Sequence, residues 1–130
     1  MSLSLLGLHL VYLANIAVAG WISLTSLFAP KRARLTVFEG TIAYSDSIRL
    51  VGALWFAIFL LSILGLFFPR QMQLVLLFQI IYKATWLLVV ALPLYRAQQP
   101  YPSGMAVFFV VWVLVLPWII EWRYLFGVGR

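Results

Sequence analysis

The residue with the most to say about chemistry is Lys83. It stands about eleven residues inside an apolar run that begins near Met72, or roughly 16 Å along a helix rising 1.5 Å per residue. That depth is close to the middle of a hydrocarbon layer about 30 Å thick. An ammonium there costs at least ~2.5–3.5 kcal/mol on insertion scales, and a lysine stem cannot reach water from that level. Lys83 is therefore expected to face other helices and to meet a partner or a ligand. Gln79, Lys83 and Trp86 fall at i, i+4 and i+7, on one stripe of a helix, and Trp86 offers a π face to the cation.

Depth along the other apolar runs assigns the companions. Asn15 lies about as deep as Lys83, with Phe56, Ala57 and Trp112 near the same level, while His9, Ser62 and Gln79 form the next layer and Glu121 sits near the rim. His9, Tyr12, Asn15, Ala19, Ser23 and Ser26 share a small and polar stripe on the first run. Gly52, Trp55, Phe59 and Ser62 share a face of the second. Converging, these faces predict a narrow aromatic-walled cavity with a cationic floor. Its expected ligand-binding residues are Lys83, Gln79, Trp86, Asn15, His9, Trp55, Trp112 and Glu121. Each polar residue also has a plainer reading. Small and polar side chains join membrane helices, at about 0.6 kcal/mol per hydrogen bond. His9 suits an interface or a packing site, Glu121 can pair with Arg123, and Asp46 with Arg49 at i, i+3. Glu39 sits in a loop with no recognised motif.

The elements that must hold these residues follow from composition. Hydrophobic residues make up 65% of the 130 and charged residues 9%, with a mean hydropathy of +1.08. Soluble domains run at about 45–50% and about 25%. A chain this poor in polar groups cannot cover itself for water. The fold class expected is all-α: one polytopic membrane domain, a bundle of four transmembrane helices, each near 20 apolar residues. The spans are placed at about 3–28, 48–68, 72–95 and 105–120, the last with a possible continuation to Phe126. Pro30 ends the first, Asp46 and Ser47 suit the start of the second, and Pro69-Arg70 stops it. Pro93 falls in the last turn of the third. The short turn between spans two and three makes them antiparallel neighbours. Residues 30–38 read equally as an ordinary basic loop or as a short helix at the interface, with Leu35 and Phe38 toward acyl chains and Lys31, Arg32 and Arg34 toward lipid phosphates. Ala17-Val18-Ala19 resembles a signal-peptidase site, but no basic residue precedes the run, so the segment is read as a helix.

The remaining composition excludes several functions. The chain has no cysteine and one histidine, so thiolate, disulfide and His-rich metal chemistry find no ligands and no metal or cofactor is expected. The net charge of +6 is spread over loops and helix ends, which fits lipid headgroups rather than nucleic acid. Lys31, Arg32, Arg34, Arg49 and Arg96 on one side outnumber Arg70, Arg123 and Arg130 on the other, a small bias that favours the first set in the cytoplasm and both termini outside over the reverse or a dual orientation.

Arg49-Leu50-Val51-Gly52-Ala53-Leu54 at the start of the second span, and Leu64-Gly65-Leu66 at its end, resemble the DoxX-like group of small four-helix membrane proteins. The resemblance carries over Arg49 and Gly52 as motif positions. It implies a bacterial or archaeal cytoplasmic (inner) membrane protein, sometimes beside a redox enzyme at the quinone pool. Three functions then compete. The first is a binding module or accessory subunit holding a lipid, quinone or other amphiphile around Lys83. The second is a small transporter or channel working as a homodimer on an anionic or amphiphilic solute. The third is an enzyme using Glu121, His9 or Lys83 as acid or base, which no nucleophile–base or carboxylate pair supports.

Overall fold

The computed structural model describes residues 3–41 and 45–127, so Arg130, counted in the charge balance, lies outside the described residues. The described chain is helical, without a strand. Helix α1 (Leu3–Phe28) is followed by a short α2 (Pro30–Thr36), then α3 (Ser47–Phe67) and α4 (Gln73–Trp86). A π turn, Leu87–Ala91, joins α4 to α5 (Leu92–Arg96), so that Gln73–Arg96 is one long rod with a wider turn after Trp86. Helices α6 (Ser103–Ile119) and α7 (Trp122–Phe126) complete the chain.

Three of these rods, Leu5–Phe28, Ser47–Phe67 and Gln73–Arg96, are long and apolar enough to cross a membrane. The fourth, α6, is shorter at 17 residues, about 25 Å at 1.5 Å per residue. It ends near the expected bound of residue 120 and does not continue to Phe126. Helix α6 runs past Pro117 to Ile119, and Ile120 then turns extended before α7 starts. The Trp122 indole N–H donates to the Pro117 carbonyl at 2.8 Å and fixes this break.

The long helices pack as two close pairs, α1 with α3 and α4 with α6, while α3–α4 and α1–α6 touch more narrowly. Small residues allow the first pair its proximity. Gly52 lies against Ser26 and the Leu27 backbone, Gly20 against the Phe59 ring, and Gly65 under the Tyr12 ring. These pairings run in opposite directions along the two helices, so α1 and α3 are antiparallel. The Tyr12 hydroxyl donates to the Pro69 carbonyl at 2.7 Å. Much of the polar stripe on α1 is thus a packing seam rather than a cavity wall. Buried Ser23 bonds its own helix at Gly20, and buried Ser26 meets Gly52.

Helix α2 lies on the α1–α3 pair through Pro30, Ala33 and Val37, leaving Lys31, Arg32 and Leu35 exposed. Phe38 corrects the sequence expectation: it turns inward onto the core instead of outward. Asp46 also departs from expectation, since its side chain caps nothing and no ion pair joins it to Arg49. Glu39 takes the capping role elsewhere. With a positive φ of 55°, it turns back so that its carboxylate accepts the Gly104 N–H at 2.9 Å, at the positive end of α6.

At the opposite end, Gln73 is fully buried and locks three segments together. Its amide donates to the Arg70 carbonyl at 3.1 Å and accepts the Glu121 N–H at 2.6 Å. The Glu121 carboxylate in turn takes the Arg70 Nε at 3.1 Å. Glu121 therefore pairs with neither Arg123 nor Lys83.

Candidate functional site

Lys83 is 1% exposed, on the face of α4 that also buries Gln73, Leu76 and Gln79. None of the three acids of the chain pairs with it. Its ammonium donates to the Tyr82 hydroxyl at 2.5 Å and lies 4.7 Å from the Trp55 ring centre and 4.8 Å from that of Phe109. The residues come from α3, α4 and α6, so the amine sits where three helices meet. A desolvated cation–π contact contributes ~2 kcal/mol, and two such rings plus a phenol oxygen offset the cost of burying the amine away from water. An aromatic cage takes the place of a counter-ion.

The rings hold one another in place. Trp55 stacks on Phe109 at 6.3 Å, Tyr82 meets both edge-on at 6.0 and 5.9 Å, and Trp86 meets Phe109 edge-on at 5.2 Å. Such pairs add ~0.5–1.5 kcal/mol each beyond the area they bury. The same rings wall a cavity of about 230 Å³, together with Phe38, Val51, Leu54, Ile58, Phe78 and Met105. Lys83 is not among the lining residues. The expected cationic floor is therefore screened: the amine stands behind Trp55, Tyr82 and Phe109, whose aromatic side chains line the cavity in its place.

The structure brings together only part of the predicted set. Trp55 and Trp86 line the cavity and Lys83 backs it. Gln79 is buried one turn away, with both amide atoms unpartnered. Asn15 is buried with its Nδ2 also unpartnered, and Ser62 leaves its hydroxyl so. His9 is half-buried, its Nδ1 at 2.8 Å from the Leu5 carbonyl within α1, away from the cavity. Trp112 belongs to a second apolar cluster with Leu8, Tyr12, Leu76 and Leu116, edge-on to Phe108 rather than near the amine. Glu121 is at the rim with Arg70. Asp46 and Arg49 are exposed, and Gly52 serves the α1–α3 seam.

Phe109, Tyr82, Phe78 and Phe38 are the aromatic site residues that sequence reasoning missed, beside the aliphatic wall of Val51, Leu54, Ile58 and Met105. A usable signal existed for two of them: Phe78 and Tyr82 are spaced i, i+4 on the stripe beside Gln79 and Lys83. Nothing in the spacing of α6 distinguishes Phe109 from Phe108 or Trp112. Among the described residues no group of histidine and acidic side chains could hold a metal ion. No protein-family model matches this chain, and neither a curated protein nor a solved structure is significantly similar to it.

Proposed function

We propose that this protein is an integral membrane protein, a bundle of four helices, that holds an amphiphile such as a lipid or quinone in its aromatic cavity. It would act as a binding module or accessory subunit. The observation that carries the reading is the cavity itself: about 230 Å³, walled by Trp55, Tyr82, Trp86 and Phe109, with an acid-free amine behind the rings. Concave, mainly apolar sites with a few placed polar groups are the usual seats of small hydrophobic ligands. Lys83 donates to Tyr82, which leaves the phenol its own proton to give to an oxygen of the ligand. In this reading the amine polarises Tyr82 and positions the rings, and the ligand touches the phenol rather than the ammonium.

Native mass spectrometry of the gently extracted protein tests this. The wild-type chain is expected to carry a bound amphiphile. Val51→Trp, which fills the cavity from its α3 wall, is expected to lose that adduct while keeping wild-type helicity and elution. An unchanged adduct in Val51→Trp overturns the proposal, as does a wild-type chain that carries none.

A further inference from the structure

A second hollow, of about 280 Å³, shares Met105 and Phe109 with the aromatic cavity. It lies between α1 and α6, which touch only narrowly, and the chain that leaves α2 closes its end. The rings of Trp21, Phe108 and Phe109 line it. Apart from the Trp21 indole, its polar side chains are Thr36 and Glu39. A carboxylate thus stands in a hollow that is otherwise aromatic and aliphatic.

The charge of Glu39 is only partly met. A left-handed turn at Glu39 and Gly40, with φ of 55° and 69°, brings the carboxylate back over the start of α6. There one oxygen accepts the Gly104 N–H at 2.9 Å and the other the Ser103 hydroxyl at 3.5 Å. Both donors are neutral, and a helix end supplies only about half an elementary charge. A carboxylate has about four acceptor sites, so two bonds leave others open. Among the described residues no lysine, arginine or histidine pairs with Glu39. None of the bases of α2 lines the hollow either.

These features select a ligand by charge and shape. An acid at the mouth and aromatic faces beyond it complement an ammonium, which binds both carboxylates and π faces. The hollow reaches from Gly104 to Phe109, five residues or about 8 Å along α6, so the apolar body behind the charge is short. The head of a phospholipid suits it less well. A phosphate adjoins that ammonium, and no basic side chain lines the hollow to receive it.

We infer that the α1–α6 hollow binds an organic ammonium with a compact apolar body, Glu39 serving as counter-ion and Trp21 and Phe108 as π faces. This second site goes beyond the amphiphile reading of the first cavity and makes no use of Lys83.

The full chain in dodecyl maltoside micelles, titrated with benzyltrimethylammonium and with its neutral carbon isostere neopentylbenzene, tests it. The ammonium is expected to shift the Trp21 indole N–H resonance and to bind about tenfold more tightly than the isostere. Glu39→Gln keeps an acceptor for the Gly104 amide and removes the charge. It is expected to weaken the ammonium about tenfold, with the isostere and hydrogen exchange at Gly104 unchanged. Trp21 is exposed and takes no part in holding the α6 start, so Trp21→Leu tests the site without disturbing that helix end. That variant is expected to weaken the ammonium about threefold. Equal affinity for the two compounds, or full affinity for the ammonium in either variant, overturns the proposal. So does displacement of the ammonium by equimolar phosphatidylcholine, which would assign the hollow to a lipid head.

Discussion

The Lys83 ammonium stands 4.7 Å from the centre of the Trp55 indole, joining α4 to α3 across a seam where the two helices touch only narrowly. The contact replaces an ion pair, since no carboxylate is within reach. Removing the amine alone also removes its burial cost, so Lys83→Met is expected to leave folding stability unchanged or raised. Trp55→Leu is expected to destabilise more with lysine present than with methionine, by a coupling of ~1–2 kcal/mol. A double-mutant cycle of unfolding by steric trapping in bicelles measures this, and a coupling of zero would remove the cation–π link.

The α1–α3 seam makes a sharper prediction. A Cβ at Gly65 would lie 2.6 Å from the Tyr12 ring, and that ring is fixed by its bond to Pro69. Gly65→Ala is expected to cost ~1–3 kcal/mol through overpacking. Trimming the opposing ring in the same chain, Gly65→Ala with Tyr12→Leu, should recover part of the loss. Thermal unfolding in detergent is enough to rank the variants.

At the rim, the buried amide matters more than the charge. Gln73→Leu strands the Glu121 N–H in a part-buried setting and is expected to cost ~1–3 kcal/mol. The Arg70–Glu121 pair is partly exposed, at 43% and 21%, so Glu121→Gln is expected to cost no more than ~1 kcal/mol, and less in high salt. The order of the two variants is the point of the measurement. An equal or larger effect of Glu121→Gln would show that the ion pair dominates.

The α6 start depends on a residue far away in sequence. Glu39 supplies the acceptor for the Gly104 amide, and no side chain of the adjacent loop caps that end. Glu39→Ala is expected to speed hydrogen exchange at Gly104 while leaving amides near Trp112 unaffected. Uniform protection in the variant would mean that the carboxylate does not hold the helix end.

The legible part of this site was the part written in local spacing. Lys83 declares itself because an amine is costly in an apolar run, and Trp86 and Gln79 follow from the helical period. Depth counting set Trp112 beside the amine, yet depth says nothing about rotation. The helix turned Phe109 toward Lys83 and Trp112 toward Leu8 and Leu116. His9 and Glu121 were misplaced for a related reason. Each found a nearer partner, a carbonyl of its own helix for one and Arg70 for the other.

By itself the sequence determined that this chain is helical, that it is too apolar to cover itself for water, and that one cation is buried in an apolar run; it placed four spans, of which three form rods long and apolar enough to cross a bilayer. Those follow from composition and from the cost of a charge in an apolar run, which act within each segment. Tertiary structure decided the rest: which helices pair, that small residues of α1 face glycines of α3, and that rings rather than carboxylates surround Lys83. The physical reason is that helices apolar on all sides carry no strong facial signal. Their rotation is set only when side chains from several elements pack together.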